Sequence, residues 1–392
     1  MKTFFEQKHL KEVIVFTLLS VFALCFAEYA TRFLVSLEPV TMDPMLGLRP
    51  SAGVESDARG FRNKEALATS TIVALGDSTT YGGNAAREEA WPQILGDLQS
   101  VPTYNMGMTG YNSVQNSALF GQALLLQPRI VVVGFYLGNS IRGAYDMVYG
   151  NEHWQALRNP ALVKESSPAP VSDDRIVLSM GIERGTIKYR FHQIGLWLRV
   201  HSLAYARLAD VTRSLRERLG VANTAEDNEK NLSLLAQRHP DLLYEVKDPG
   251  IETVLPPGEE LGSIDLSRVE TQEGWRIAQK LFSEMNEKAM QTNVRFIVLV
   301  IPSKKQVYIR HWQNSGREIP QEFERYADAS EKLLTAVKLF CTEKKMECVF
   351  PLGRLSATLD EHKRIYSNSR EGHPLPLGYR VIAETLDTYL LK

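Results

Sequence analysis

A chain of 392 residues is long enough to bury a large core, either as one sizeable domain or as two modest ones. Hydrophobic residues make up 44% of it and charged residues 23%, an ordinary globular composition. With 45 basic residues against 46 acidic ones, bulk electrostatic capture of nucleic acid is excluded, so function has to sit in local constellations.

The first element is "VIVFTLLSVFALCFA" (13–27), an uninterrupted apolar run preceded by Lys2, Lys8 and Lys11. The run is shorter than the roughly 20 residues that span a bilayer, but "EYATRFLVSL" extends a helix toward Leu37. Basic residues before such a segment keep the N-terminus in the cytoplasm and place everything after it outside. Cys25-Phe26-Ala27 also fits a signal-peptide cleavage site, so the expectation is an uncleaved signal anchor or, alternatively, secretion after cleavage. A buried helix of a soluble domain is the plainer alternative.

Next comes a buried strand at 71–76 and a helix over "AREEAWPQILGDLQS" (86–100), then a helix at 113–127 and a strand at 129–138. Residues 141–268 break this rhythm. They are charged and irregular, with Pro-rich patches at "SSPAPVSDD" and "VLPPGEE" and one amphipathic helix predicted over 194–219. The Trp, Tyr and Arg residues of that helix are expected mostly in packing, with a substrate groove as the alternative.

Alternation then resumes: a helix over "EGWRIAQKLFSEMNEKAMQTN", a strand at 294–301, a helix over "RYADASEKLLTAVKLFCTEKKM", a strand over "ECVFPL" and a closing helix to the C-terminus. Continuous apolar strands alternating with helices predict an α/β fold, a parallel sheet covered by helices on both faces. The organisation expected is a cytoplasmic tip and anchor (1–40), the first part of the α/β domain (41–140), an insertion that could cap the site (141–268) and the second part (269–392). An independent second domain is the alternative for the insertion. Cys341 and Cys348 could bridge a helix end to the next strand, or remain two buried thiols.

Four short blocks carry the chemistry. "GDS" (76–78) ends the first strand, and ligand sites of parallel α/β sheets lie beyond such carboxyl ends. It lacks the Gly-x-Ser-x-Gly pattern of the α/β-hydrolase elbow. "YNMGMTGYNS" places Gly107 and Gly110 before a helix, where backbone N–H groups can face an anion. "VVVGFYLGNS" sets Asn139 just past a strand, and "REGHPLPLGY" sets His373 before the last helix with Glu371 two residues earlier. Ser78 as a turn residue, Asn139 as a helix cap and Glu371 as a solvated charge are the plainer alternatives. No His or Cys has metal-ligand spacing, so no metal and no cofactor are expected. Lys304 and Lys305 read as a solvated turn, with contact to an anionic glycan as the alternative.

In that order, the four blocks resemble the SGNH or GDSL hydrolases, with "EAWPQIL" similar to the Trp-Pro helix that often follows the family's first block. The resemblance covers 71–140 and 294–390. It implies a three-layer, flavodoxin-like α/β/α fold and ester hydrolysis or acyl transfer, with Ser78 as nucleophile and His373 as base. The N–H groups of Ser78 and Gly110 and the Asn139 side chain would form the oxyanion hole. Two departures stand out. Arg370 occupies the position three before the histidine where many members carry Asp, leaving Glu371 to replace it, and Ser140 stands where Gly-Asn-Asp is usual.

The "DPMLGLRPSAG…RGFRN" lead-in and "VLVIPSKKQVY" resemble anchored bacterial members tied to cell-surface polysaccharide metabolism, the latter also O-acetyltransferase-like relatives. This implies an inner-membrane protein facing the periplasm and acting on an acylated polysaccharide or glycoconjugate, with polysaccharide-assembly proteins as partners. A non-catalytic glycan-binding component is the alternative that the departures suggest.

Overall fold

The computed structural model describes residues 19–20, 22–31, 40–50, 52, 55–162, 187–202, 204–205, 208, 212, 236–237, 242–369 and 371–391. The chain separates into two compact units, one from 1–38 with 171–231 and the other from 39–170 with 232–392.

The larger unit begins with a hairpin of β1 (Val40–Asp43) and β2 (Gly47–Pro50), followed by β3 (Ile72–Leu75), the single-turn helix α1 (Ser78–Tyr81) and α2 (Trp91–Gln99). Then come β4 (Thr103–Asn105), α3 (Ser113–Leu125), β5 (Ile130–Tyr136) and α4 (Ser140–Gly150). The smaller unit supplies α5 (Ile187–His201). The rest of the larger unit is a hairpin of β6 (Tyr244–Asp248) and β7 (Ile251–Leu255), α6 (Leu261–Ile264), α7 (Val269–Gln291), β8 (Arg295–Ile301), α8 (Lys304–Asn314), α9 (Glu324–Glu343), β9 (Glu347–Val349), α10 (Leu352–Asp360) and α11 (Pro376–Leu390).

Five strands form one parallel sheet in the order β4-β3-β5-β8-β9. Every residue of β3 and six of the seven in β5 and β8 are buried, which is why these strands read as unbroken apolar runs. Each Val, Leu, Ile or Phe side chain among them contributes about 1.5–3 kcal/mol on leaving water. Paired residues of neighbouring parallel strands share a face, and Val131 pairs with Phe296, Phe135 with Val300. On that face α3 packs through Phe120 on Phe296, and α7 through Trp275 and Phe282 on Phe135. On the other side α2 and α11 pack together and reach the edge strands β4 and β9. The architecture is a three-layer α/β/α sandwich.

Counted within the sheet, the strand order is 2-1-3-4-5, so the chain reverses direction across the sheet between β3 and β5. The crevice beyond the carboxyl ends of those two strands is the switch point, where open α/β sheets bind ligands. "GDS" leaves β3 there, and Asn139 follows β5 there.

Several sequence expectations take a different form. The segment 141–268 is not uniform: α4 and the β6–β7 hairpin pack within the sheet-bearing unit, and only 171–231 groups with the N-terminus. The helix predicted over 194–219 overlaps α5, which starts earlier and ends at His201; 204–205, 208 and 212 are also helical, and the rest of 203–219 lies outside the described residues. Phe191 and Trp197 of α5 are largely exposed. Within that smaller unit Glu28 accepts hydrogen bonds from Ser202 Oγ at 2.8 Å and from the Ala204 N–H at 3.1 Å. Residues 13–18 and 21 of the apolar segment 13–27 lie outside the described residues. Among the described residues, 22–31 are helical and no helix is long and apolar enough to cross a membrane.

Cys341, at the end of α9, is bonded to Cys348 in β9. Closing a loop this short removes about 2–3 kcal/mol of unfolded-state entropy. Cys341→Ser is therefore expected to lower stability by about that amount. Urea melts check this: a midpoint unchanged from wild type would show that the bridge adds nothing.

Candidate active site

Ser78 is the first residue of α1, immediately beyond β3. Asp77 caps that helix, its carboxylate accepting from the Thr79 N–H at 2.9 Å and from Thr79 Oγ1 at 2.6 Å. Burial pushes the Asp77 carboxyl above the usual carboxylate range, although both Thr79 bonds and His373 oppose the shift. Its second oxygen has no partner among the described residues. The middle residue of "GDS" thus holds the turn that presents Ser78. As the first helical residue, Ser78 has an amide with no intrahelical acceptor.

The hydroxyl of Ser78 lies 2.6 Å from His373 Nε2, across 295 residues of chain. On the far side of the ring, His373 Nδ1 bonds to Glu371 Oε1, while the His373 N–H donates to Glu371 Oε2 at 2.9 Å. Asn84, in the loop after α1, donates its side-chain amide to Glu371 Oε2 as well. The structure therefore brings Ser78, His373 and Glu371 into one line. Arg370 lies outside the described residues.

The electrostatics follow from these contacts. The bond to Glu371 raises the His373 imidazole above its ordinary value, against the opposing effect of burial, and Asp77 adds to the rise. Burial works against ionisation of Glu371, but its bonds from the His373 side chain and backbone and from Asn84 outweigh it and lower the carboxyl. Since Glu371 is held as the carboxylate, Nδ1 carries the proton and Nε2 is left to accept from the Ser78 hydroxyl.

The donors expected around the nucleophile are placed as follows. Gly107 spends its N–H on Asn105 Oδ1 at 2.8 Å and lies so close to α1 that a Cβ would sit 2.6 Å from the Tyr81 nitrogen. Gly110, at φ 83°, is exposed, and its N–H has no hydrogen-bond partner among the described residues. Of the two glycines, Gly110 is the one with a donor to offer. Asn139 occupies the N-cap position of α4 but makes no side-chain cap bond, and its exposed amide is likewise uncommitted. Ser140 begins α4 and is buried.

Supporting residues emerge that the sequence pattern did not mark. Arg62, from the "RGFRN" lead-in, donates to the carbonyls of Gly82 at 2.8 Å and Ala85 at 2.9 Å, and its guanidinium lies over the Tyr81 ring. Asn105 donates to the Thr80 carbonyl at 2.8 Å. Tyr379 of α11 donates to the Gly83 carbonyl at 2.8 Å. Together they fix the backbone that follows Ser78.

Gly83 lies beneath the imidazole, where a Cβ would stand 3.0 Å from His373 Cγ and Cδ2. Gly83→Ala is expected to displace the ring by a few tenths of an ångström and to cut kcat about tenfold, since misplacement of about 1 Å costs on the order of 100-fold. Ester-hydrolysis kinetics on a variant that melts like wild type check this. An unchanged kcat would mean that the ring tolerates the shift.

The reading of Lys304 and Lys305 as a solvated turn is corrected: both are buried, and neither faces solvent where a glycan could reach it. Lys304 Nζ donates to Thr253 Oγ1 and to the Ser369 carbonyl, each at 2.6 Å. Lys305 Nζ contacts the carbonyls of Pro256 and Glu259 and the carboxylate of Glu260. Burial presses the Lys304 ammonium down to about 7, with the Glu371 carboxylate pulling the other way.

No protein-family model and no curated protein matches the chain. Among solved structures, a GDSL-like lipase from Bacteroides thetaiotaomicron VPI-5482 is similar at 11% identity and a TM-score of 0.32, over 82% of this chain and 87% of that one. LAE5, an alpha/beta hydrolase enzyme from the metagenome of Lake Arreo, is similar at 12% identity and a TM-score of 0.35, over 83% and 98% of the two chains. Likeness this distant says nothing of substrate or activity.

Proposed function

We propose that this protein is a serine ester hydrolase of the SGNH type. The observation that carries the proposal is the unbroken line from Ser78 Oγ to His373 Nε2 and from His373 Nδ1 to the Glu371 carboxylate. A serine hydroxyl is a poor nucleophile at neutral pH and needs such a base within hydrogen-bond reach. His373 takes the Ser78 proton as Oγ attacks the ester carbonyl, and Glu371 stabilises the imidazolium that results. The carbonyl oxygen becomes an oxyanion that the Ser78 and Gly110 N–H groups and the Asn139 amide would receive. His373 then returns the proton to the leaving alcohol, and water discharges the acyl-enzyme by the same route in reverse.

Hydrolysis is favoured over transfer to a sugar hydroxyl because Thr109, Gly110 and Asn139 are exposed, so water reaches the acyl group. The intact triad disfavours a purely glycan-binding role. The substrate class proposed is an O-acetylated extracytoplasmic polysaccharide or glycoconjugate. An inner-membrane anchor with the hydrolase in the periplasm is proposed with it, and polysaccharide-assembly proteins are the partners to look for. The apolar segment behind Lys2, Lys8 and Lys11 supports this placement, as does a disulfide, which persists in oxidising compartments.

The test is incubation of the protein with p-nitrophenyl acetate, with and without an oligosaccharide acceptor. Hydrolysis predicts free acetate in both cases. Acetylated oligosaccharide among the products would instead make the protein a transferase, and absence of turnover would remove the esterase reading.

A further inference from the structure

The loop that delivers Glu371 and His373 has little structure of its own. Its base is closed by a bridge between Tyr366 and Pro374 and by the Leu375 N–H donating to the Ile365 carbonyl at 2.9 Å. Between those points the described residues form no strand or helix, yet Glu371 has to meet the imidazole within a few tenths of an ångström. Inside the loop, three backbone carbonyls converge on one buried group. Lys304 Nζ lies 2.6 Å from the Ser369 oxygen, 3.0 Å from that of Ser367 and 3.3 Å from that of Glu371. Its fourth neighbour is Thr253 Oγ1, which accepts from the ammonium and has the Ser367 carbonyl at 2.9 Å for its own proton.

We propose that Lys304 is a positioning residue of the active site: backed by Thr253, its ammonium gathers the Ser367, Ser369 and Glu371 carbonyls and so sets where Glu371 meets His373. The proposal rests on the esterase reading above for its kinetic consequence, but not for its structural one. Lys304 sits at the start of α8, directly beyond the interior strand β8, so a rigid part of the sheet anchors the clamp. Thr253 belongs to the β6–β7 hairpin, which makes part of the irregular middle region a support of the catalytic loop. The charged groups acting on Lys304 are Glu371, Lys305 and Glu260, with the Tyr366 ring 6.0 Å away. Those acting on His373 are Glu371 and Asp77.

The experiment uses the full chain in detergent. Lys304→Met is expected to lower kcat for p-nitrophenyl acetate by about 100-fold, the scale of a 1 Å misplacement, with KM little changed. Thr253→Val is expected to lower it by up to about tenfold, the rate equivalent of one neutral hydrogen bond, and Thr253→Ser to stay near wild type. A readout that loss of packing alone would not move is the titration of His373, followed by NMR of isotope-labelled histidine. Displacing Glu371 removes the contact that raises the imidazole, so its pKa is expected to fall in Lys304→Met and Thr253→Val.

A folded Lys304→Met with wild-type kcat and an unmoved His373 titration would overturn the proposal. If Lys304→Met does not fold, the Thr253→Val and Thr253→Ser pair decides: equal kcat and equal titration in both would overturn it. A wild-type protein that turns over no ester while its His373 still shifts in the variants would sink the esterase reading and leave the clamp standing.

Discussion

Replacing Ser78 with alanine is expected to reduce ester hydrolysis by at least about 10⁴-fold while leaving the fold intact. Removing the nucleophile of a serine triad costs on the order of 10⁶ in kcat, with only oxyanion and binding contributions surviving. The side chain is small, and its hydroxyl has His373 as its hydrogen-bond partner, so nothing in the core depends on it. Steady-state kinetics together with a thermal melt check both halves of the statement. A folded Ser78→Ala that keeps more than about a tenth of wild-type activity would assign the chemistry to another group.

The second large effect is expected from Glu371→Gln. A carboxylate opposite the ring fixes the tautomer and stabilises the imidazolium, and an amide in its place costs up to about 10⁴-fold in comparable triads. A loss of about 1,000-fold or more is expected here, because the side chain also accepts from Asn84 and from the His373 backbone. The pH profile gives the sign. His373 acts as base only when neutral, so activity falls as pH drops through its pKa. Glu371 raises that pKa, and Glu371→Gln should therefore move the acidic limb of kcat/KM to lower pH. An acidic limb that stays in place would mean that Glu371 does not govern the imidazole, whatever the loss in rate.

The parts of this site legible in the sequence are those that chain geometry makes local. Strands β3, β5 and β8 are buried on both faces, so each shows as a continuous apolar run, and the residues just beyond β3 and β5 necessarily face the switch point. Ser78 and Asn139 could be placed for that reason. Short β4 has three residues and no apolar run to show.

The β6–β7 hairpin did leave a signal. "YEVKDPGIETVL" alternates about a Pro249-Gly250 turn with Gly250 at φ 73°, but its charged residues made it resemble the irregular sequence around it. The supporting residues were not legible, because Arg62, Asn105, Lys304 and Tyr379 act on backbone carbonyls distant in the chain. A carbonyl carries no residue identity, so such a contact imprints nothing on its partner's sequence. Lys304 and Lys305 show the consequence most plainly. Two adjacent lysines after a strand suggest solvent, and only the fold reveals the ring of oxygens that lets them be buried.

The measurement that tests the central claim most directly is peptide mapping of the wild-type protein after brief treatment with a fluorophosphonate, with His373→Ala run in parallel. The account predicts one phosphonyl adduct, on the peptide that contains Ser78, and little or none when the imidazole is gone. An adduct on a different residue, or equal labelling with and without His373, would contradict it.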